Sequence, residues 1–423
     1  MSKPSSRRQF LGALTLVGAG VGINALAMRG LRVPLMAEPR HVEHQARHPK
    51  GGFAVEGEGA FFTAIEEDVL AWRAFTPEPV LSVQGTFHVT LDNVHPQAVL
   101  GSEGGGQIQE ASVDGLKRTV LGKAEPNTAL RLHWQVPFAD SYRFAAIGDT
   151  GGGREFAWAL QRTEQLGAQF LLLLGDLYYQ PGDDLNVIRN LSRSPVPVYA
   201  ALGNHDIVRG FDQNLMHWFE RRVGPRNFAF RLGGIQFVNL DTAADTIPWS
   251  GGMRGALLRR LPALKNIPGI RDYVIFSHRP ITDLRPIEKQ PSDHSIENFG
   301  EGEWLREQLL QIGARTIING HIHNSLERDD QGLYTYIAGE GLAHLDIVRS
   351  QGSVEWFDDP AERTARILIG EVSPGEPVQY RWDALNMPLD AHCSARLRED
   401  MAKEKGHFDA LLDQLDTLCK KTS

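Results

Sequence analysis

The sequence predicts an α/β protein whose main domain is built on buried, largely parallel strands. From Tyr142 onward, nearly continuous apolar runs such as FLLLL and YVIF alternate with amphipathic stretches at helical spacing. Strands that are covered on both faces typically show this pattern. Before residue 141 the pattern differs, because apolar and polar residues alternate in β-branched segments separated by glycine or proline. A β-rich region therefore precedes the α/β domain.

Residues 1–27 have the layout of an export signal. Arg7 and Arg8 precede an uncharged, glycine-rich apolar run that ends in the small-residue motif ALA, as in cleaved signal peptides. The stretch SRRQFL also resembles the twin-arginine motif of bacterial export signals. We expect passage through the twin-arginine translocation machinery and a periplasmic or secreted protein. The alternative is an uncleaved N-terminal anchor, although the run is short and weakly apolar for a permanent membrane span.

The next two segments differ in pattern. Residues 28–52 are rich in arginine, proline and histidine without periodicity, which predicts a linker. Its three histidines are expected to be solvated rather than metal-bound: His41, His44 and His48. Residues 53–140 contain VLSVQGTFHVTLDNV and ALRLHWQV, which predict a small β-rich N-terminal domain.

Residues 141–390 are expected to form the main domain. Its first helix should lie in REFAWALQRTEQLG, and strands are expected at RFAAI, FLLLL, VPVYAAL, IQFVNL, DYVIFS and RTIIN. LYTYIAGEG, ARILIGEV and VQYRWDAL resemble a further sheet that packs on the first. Residues 391–423 are typical of a charged C-terminal helix. Cys393 and Cys419, the only cysteines, either pair with each other or remain free thiols.

The composition limits the classes of partner. The chain has 423 residues, 42% of them hydrophobic and 23% charged, as in ordinary soluble proteins with a large core. A formal net charge of −8 gives no reason to expect nucleic acid or an anionic membrane surface as a partner. No segment after the signal resembles a transmembrane helix, so no stable span is expected after cleavage. An anionic substrate would need a local positive site, such as a metal.

Five predicted strands end in residues that can bind a metal. Glycines at positions 148, 175, 203 and 320 come directly before four of these polar groups, where they allow sharp turns and close approach of a ligand. The carboxyl ends of strands in an α/β sheet converge on one edge, where ligands bind. We therefore expect a shared site formed by Asp149, Asp176, the run Asn204-His205-Asp206, His278, and His321 with His323.

The motifs GDTG, GDLYY, GNHD, SH and GHIH, spread over about residues 142–345, resemble the five blocks of the calcineurin-like metallophosphoesterases. The resemblance implies a two-sheet αβ sandwich with two metal ions at its carboxyl edge, bridged by an aspartate and a hydroxide. One block departs from the common pattern. Gly151 stands where a histidine ligand is usual, and Tyr179 follows Asp176 by three residues. This pairing is similar to the purple acid phosphatases, in which the tyrosine replaces the histidine.

The resemblance also implies the distribution of ligands. Asp176 would bridge two metals, one held by Asp149, Tyr179 and His323, and the other by Asn204, His278 and His321. A phenol has a pKa of about 10 and needs a hard, strong Lewis acid to bind as phenolate. We therefore expect Fe(III) at the Tyr179 site and a divalent ion (Fe, Zn or Mn) at the imidazole-rich site.

The same resemblance makes His205 the general acid that protonates the leaving alkoxide, with Asp206 orienting it or raising its pKa. We expect an exported phosphoric ester hydrolase that uses the bridging hydroxide to hydrolyse small phosphate monoesters, like an acid phosphatase. One alternative is a phosphodiesterase or nucleotidase with two non-ferric metals. Another is an inactive metal-binding interaction module on the same fold.

Overall fold

The computed structural model describes residues 43–50, 52–179, 182–207, 213–243, 250–287, 290–342 and 365–385. The predicted export signal, the predicted C-terminal helix and both cysteines lie outside these ranges. Among the helices in the described ranges, none is long and apolar enough to cross a membrane.

The N-terminal part of the described chain is a sandwich of two five-stranded sheets, with orders β1-β2-β5-β10-β7 and β3-β4-β6-β9-β8. Its strands are β1 (Gln45–Arg47), β2 (Ala54–Glu58), β3 (Ala60–Glu66), β4 (Val69–Ala74), β5 (Val80–Gln84), β6 (Thr86–Asp92), β7 (Val99–Gly104), β8 (Gly106–Asp114), β9 (Lys117–Ala124) and β10 (Leu130–Gln135). Buried residues from both sheets form one core that includes Trp72, Val89 and Trp134. The predicted β-rich N-terminal region is confirmed.

The end of the predicted linker is part of this sandwich. β1 pairs antiparallel with β2. Of the two described linker histidines, His44 is exposed, as expected, whereas His48 is buried. His44 Nδ1 lies 3.1 Å from the carbonyl oxygen of Ala60. His48 is 3% exposed, its Nε2 lies 2.8 Å from the Glu67 carbonyl, and its ring stacks on Phe53. A three-residue strand is too short to show periodicity, so the sequence pattern could not distinguish it from a linker. His41 lies outside the described residues.

The main domain alternates strands and helices, as predicted. Its described strands are β11 (Tyr142–Ile147), β12 (Phe170–Leu173), β13 (Val198–Ala200), β14 (Phe228–Leu232), β15 (Ile235–Leu240), β16 (Asp272–Ser277), β17 (Thr316–Asn319), β18 (Ser325–Asp330), β19 (Leu333–Ala338), β20 (Arg366–Val372) and β21 (Gln379–Ala384). Its described α-helices are α1 (Arg154–Gln165), α2 (Asp183–Ser192), α3 (Gln213–Arg222), α4 (Gly252–Arg260) and α5 (Phe299–Ile312). Short 3₁₀ turns lie at His205–Ile207, Leu264–Asn266 and Glu340–Leu342.

These strands form two sheets that pack face to face, with orders β13-β12-β11-β20-β21 and β14-β15-β16-β17-β19-β18. Aromatic side chains from both sheets, among them Phe144, Phe170 and Phe237, fill the space between them. The prediction that the last three strand segments make a sheet of their own was wrong. β19 pairs parallel with β17, whereas β20 and β21 extend the sheet of β11. Apolar patterning shows that a strand is buried but not which neighbour it pairs with.

Helices cover the outer faces of the sandwich. α1 buries Phe156, Ala159, Leu160 and Thr163 in a cluster with residues of β11 and β12. α5 buries Leu305, Leu309 and Ile312 against the second sheet. Because β11, β12 and β13 are parallel, as are β15, β16 and β17, the carboxyl ends within each group lie together. Side chains from loops that are distant in the sequence meet at that edge.

Candidate metal centre

Asp149 lies in the turn after β11 and is fully buried. Its Oδ2 accepts a hydrogen bond of 2.8 Å from the backbone N–H of His321. Its Oδ1 has no hydrogen-bond partner among the described residues and lies 3.4 Å from His323 Nε2. Burial raises the pKa of Asp149, and the neighbouring His323 opposes that shift. A buried carboxylate oxygen without a donor is costly, and a cation beside it would remove that cost.

Asp176, in the loop after β12, lies between two groups of side chains. Its Oδ2 accepts the Tyr179 hydroxyl over 3.1 Å. Its Oδ1 accepts the backbone N–H of His205 over 2.9 Å and lies 3.4 Å from His278 Nε2. Burial opposes ionisation of this carboxyl, but the charges of nearby histidines, His278 first, bring its pKa below the ordinary value. Asp176 can therefore share its two oxygens between two neighbouring sites.

The imidazole of His278 is held in one orientation. Its Nδ1 lies 2.7 Å from the Leu174 carbonyl, which can only accept, so Nδ1 carries a proton and, in the neutral ring, the lone pair is on Nε2. That Nε2 lies 2.8 Å from Asn204 Oδ1 and 3.1 Å from His321 Nδ1. Two acceptors this close repel each other unless a cation lies beside them. Burial lowers the pKa of His321 well below its usual value, which keeps this second imidazole in the neutral, metal-binding form.

Tyr179 connects Asp176 to His323, the last histidine of the GHIH motif. In addition to its hydrogen bond to Asp176, its hydroxyl lies 3.3 Å from His323 Nε2. Its backbone N–H donates to Asp183 Oδ2 over 3.0 Å, which fixes the loop at the start of α2. Gly151, where the common motif has histidine, has a φ of +59°. A histidine at this position would be strained, because side chains disfavour the left-handed region.

Two groups of candidate ligands share Asp176: one comprises Asp176, His278 and His321, and the other Asp149, Asp176 and His323. Within each group the donor atoms lie within 4.8 Å of one another. Tyr179 and Asn204 contact these groups directly. The structure thus brings together all seven side chains that the sequence suggested as ligands. The unpartnered oxygen of Asp149 and the facing acceptors of His278 and Asn204 fit metal ions at both positions.

The backbone around these ligands is strained and closely packed. Three of them have left-handed backbones, with φ of 61° at Asp149, 59° at Asp176 and 69° at His321. Such conformations cost about 1–2 kcal/mol each for residues with a Cβ. A Cβ on Gly203 would overlap the backbone nitrogen and Oδ1 of Asp176, and one on Gly320 would lie 2.8 Å from Asp149 Oδ2. At these two positions glycine provides room for a carboxylate rather than a special φ.

Asp206 does not have the contact expected from the sequence. Its hydrogen bonds within the described residues all come from backbone N–H groups rather than from the His205 imidazole. The donors are Gly203 at 2.8 Å, Asp176 at 3.1 Å, Leu177 at 2.6 Å and Tyr178 at 2.9 Å. Burial and the charge of Asp176 raise the pKa of Asp206 to about 8, and the backbone N–H donors oppose this shift. The carboxylate ties the GDLYY loop to the GNHD loop and so positions both.

His205 lies at the exposed margin of the same cluster. Its backbone is fixed by the hydrogen bond to Asp176, and its ring packs against that of Tyr179, with ring centroids 4.4 Å apart. The imidazole therefore lies beside the ligands while remaining open to solvent. This placement is compatible with proton transfer to a bound molecule.

Sequence reasoning expected the loop of residues 281–303 to affect substrate selectivity but did not identify the residues through which it borders the site. His294 lies with its ring centroid 5.6 Å from that of His321, and its Nδ1 is buried without a partner among the described residues. The loop is shaped by buried Asp283, which accepts hydrogen bonds from Arg285 and Ser292. Nothing in the sequence of this loop marks these residues, because none follows an apolar strand.

Comparison with known proteins agrees with this geometry. Residues 142–325 match the model of the calcineurin-like phosphoesterase family. This stretch is similar to that family over 184 of the 423 residues. The matched stretch contains all seven candidate ligands and His205.

The chain is also similar to curated proteins at low identity. A rabbit (Oryctolagus cuniculus) tartrate-resistant acid phosphatase type 5 is 26% identical over 254 residues, covering 51% of this chain and 77% of the relative. An orangutan (Pongo abelii) serine/threonine-protein phosphatase CPPED1 is 23% identical over 254 residues, covering 55% and 73%. Among solved structures, a purple acid phosphatase from yellow lupin (Lupinus luteus) matches with a TM-score of 0.45 and 13% identity, covering 82% of this chain and 73% of that one.

Proposed function

We propose that this protein is an exported, dinuclear-metal acid phosphatase of the purple type that hydrolyses small phosphate monoesters. The observation that carries the proposal is the position of the Tyr179 hydroxyl. It lies 3.1 Å from Asp176 and 3.3 Å from His323, beside a loop in which Gly151 replaces the usual histidine. The 26% identity to a tartrate-resistant acid phosphatase supports the same assignment.

The two sides of the centre differ in chemistry. Asp149, Tyr179 and His323, with Asp176, would hold one metal through mostly anionic oxygen atoms, which suits Fe(III). Asn204, His278 and His321 would hold the second, with Asp176 as the shared ligand, and imidazole nitrogen suits divalent Fe or Zn, with Mn as a further candidate. The hydrogen bond from His278 Nδ1 to the Leu174 carbonyl orients the ligand and fixes its tautomer.

When bound, the metals would supply Lewis-acid stabilisation of the phosphoryl charge and lower the pKa of a water molecule. The chain supplies the remaining functions. His205, exposed beside the Tyr179 ring, donates a proton to the leaving oxygen. Asp206 positions two of the ligands, since its hydrogen bonds hold the loops that carry Asp176 and Asn204. His294 faces the site beside His321 and is suited to contact a phosphate oxygen as a hydrogen-bond donor.

The proposed setting is outside the cytoplasm. Arg7, Arg8 and the ALA motif before residue 28 support export by the twin-arginine route. Export would separate the enzyme from intracellular phosphate esters and leave small extracellular or periplasmic monoesters as its substrates.

Metal analysis combined with activity tests this proposal. The purified full chain should contain one iron and one further metal per molecule, absorb in the visible region, and hydrolyse p-nitrophenyl phosphate much faster than bis(p-nitrophenyl) phosphate. A colourless protein with two zinc or manganese ions that prefers the diester would show instead a phosphodiesterase. A protein that binds metals but hydrolyses neither ester would indicate a binding module.

A further inference from the structure

A cavity of about 740 Å³ opens at the end of the sandwich opposite the metal centre. Its wall includes Asp272 and Thr316, the first residues of β16 and β17. These strands run parallel, and their far ends lead to His278 and His321. At about 3.3 Å per residue, strands of four and six residues separate the cavity from those ligands by roughly 13–20 Å. The cavity is therefore distinct from the proposed phosphatase site.

One wall of the cavity is a row of three tyrosine rings. Tyr334 and Tyr336 lie on the same face of β19 with centroids 5.1 Å apart, and Tyr336 lies 4.8 Å from Tyr380 of the other sheet. The row runs from the surface into the gap between the sheets, since Tyr334 is 37% exposed and Tyr336 only 8%. The Tyr380 hydroxyl is buried without a hydrogen-bond partner among the described residues. The exposed end of the row offers a stacking surface to another ring.

The charged groups around the cavity are mostly basic. Lys265, Arg271 and Arg315 contribute to its lining, and Asp272 is the single acid among the described lining residues. The oxygens of Asp272 already accept backbone N–H groups of Tyr273 and Val378. The lining residues thus carry a net positive charge, while Glu327 and Asp329 lie opposite Tyr336 and Tyr334 on the neighbouring strand β18.

The three basic side chains differ in how readily they can contact a bound anion. Arg271 donates to the carbonyl groups of Ser373 and Glu376, and its charge interacts with the neighbouring carboxylate of Asp272. Lys265 and Arg315 are exposed, and within the described chain their side chains have no hydrogen bond or ion pair. Arg315 is next to the tyrosine row, since its carbonyl accepts the Tyr334 N–H over 2.8 Å. An anionic ligand can therefore reach two free cations beside an aromatic surface.

We propose that this cavity binds a small aromatic anion, a planar ring that carries a carboxylate, sulfonate or phosphate group. The ring stacks on Tyr334, and the anionic group meets Lys265 and Arg315. The volume lies in the range of ordinary small-molecule sites, about 300–1,000 Å³. The assignment goes beyond the proposed phosphatase activity and does not depend on it, because none of its residues belongs to the metal centre.

Calorimetric titration of the metal-loaded full chain with 2-naphthalenesulfonate tests the proposal. Excess inorganic phosphate is included so that the metal centre cannot contribute. We expect one molecule to bind with a dissociation constant on the order of 10–100 µM, which corresponds to an ordinary binding free energy per non-hydrogen atom for a ligand of this size. Neutral 2-naphthalenemethanol and ringless methanesulfonate should each bind at least tenfold more weakly.

Substitutions at exposed positions then locate the site. Arg315→Gln and Lys265→Gln should each weaken binding by roughly threefold to fivefold, the effect of one exposed charge pair. Tyr334→Ala should weaken it by roughly twofold to tenfold. Arg328→Gln, an exposed cation on β18 outside the cavity, is the matched control and should bind like the wild type. Hydrolysis of phosphate esters should be unchanged in all four variants.

Two results with the anionic ligand would overturn the proposal: no saturable binding up to millimolar ligand, or binding that none of the three cavity substitutions weakens. Equal affinity for the neutral and anionic naphthalenes would also reject an anion site, and this comparison needs no variant. Because the readout is binding in the presence of phosphate, failure here is separate from failure of the phosphatase proposal.

Discussion

The Tyr179 hydroxyl donates a hydrogen bond of 3.1 Å to Asp176 Oδ2 and so lies at the boundary between the two groups of candidate ligands. If Tyr179 binds Fe(III) as phenolate, charge transfer from the phenolate to iron should give a purple to pink colour. Tyr179→Phe should remove the visible band and weaken iron retention, because the site loses an anionic ligand and Gly151 has no side chain to replace it. Absorption spectra and metal analysis after dialysis measure both effects.

Tyr178→Phe is the matched control. Tyr178 is the adjacent residue, and its backbone N–H is held by Asp206, so the substitution keeps the same loop. It should retain colour and iron. The ferric assignment would be contradicted if the wild-type protein were colourless and the Tyr179→Phe variant were active with full metal content. The proposal of a dimetal phosphoesterase would not be affected by that result.

Asp206→Asn tests the role of the buried carboxylate. The amide replaces one acceptor oxygen with an NH₂ group that faces two backbone N–H donors. Two hydrogen bonds are lost and donors are left opposed, which should cost about 2–4 kcal/mol. We expect a lower melting temperature and weaker retention of both metals, measured by calorimetry and metal analysis. Exposed Asp140→Asn should change neither.

The result also separates two roles of Asp206. If the carboxylate acted mainly on the His205 imidazole, as the sequence suggested, Asp206→Asn would shift the pH–rate profile and leave stability and metal content unchanged. The hydrogen bonds from Gly203 and Leu177 argue instead for a loss of stability and of metal retention.

The seven candidate ligands could be chosen from the sequence because each follows a predicted strand or lies in a motif with fixed spacing. Asp149 and His278 are examples, since an apolar run marks the end of each strand and parallel strands end at one edge. The partners of Asp206 could not be predicted, because they are backbone N–H groups that every residue other than proline carries. His294 was missed for a related reason, since tertiary hydrogen bonds of Asp283 bring its loop to the site.

The fold, too, could be predicted only in part from the sequence. The existence of strands such as β11 and β16 could be predicted from their apolar runs, whereas the sheet that β19, β20 and β21 join could not. Strand pairing depends on contacts between residues far apart in the chain, such as Thr316 with Tyr334, and periodicity carries no information about them.

His205→Ala tests the proposed general acid. The variant should keep both metals, because the histidine contributes only its backbone N–H to Asp176 and alanine retains that group. Turnover of an alkyl phosphate such as glycerol phosphate should fall by roughly 10²–10⁴-fold. The loss should be much smaller for p-nitrophenyl phosphate, whose leaving group departs without a proton. Equal losses for both substrates would assign His205 another role.

Replacement of Arg7 and Arg8 by lysine tests the export route. The pair keeps its charge, so a general secretory signal would continue to function, whereas the twin-arginine machinery should reject it. We expect the double variant to accumulate in the cytoplasm in a bacterial host, measured by fractionation and by the N-terminal sequence of the periplasmic protein. Normal periplasmic yield of the variant would exclude the twin-arginine route.

His95 should limit stability in acid, where an acid phosphatase would work. The side chain is 7% exposed, its Nδ1 accepts the Gln97 N–H over 3.2 Å, and its ring packs edge-on against Phe138. Burial lowers its pKa to about 4, below the value of about 6.5 in an unfolded chain. The folded state therefore favours neutral His95, and the resulting stability is present above pH 6.5 and lost as the pH falls toward 4.

His95→Asn keeps an acceptor near Nδ1 but cannot titrate. Its melting temperature should therefore fall less than that of the wild type between pH 6.5 and 4, and equal losses in the two proteins would show that other groups govern acid stability.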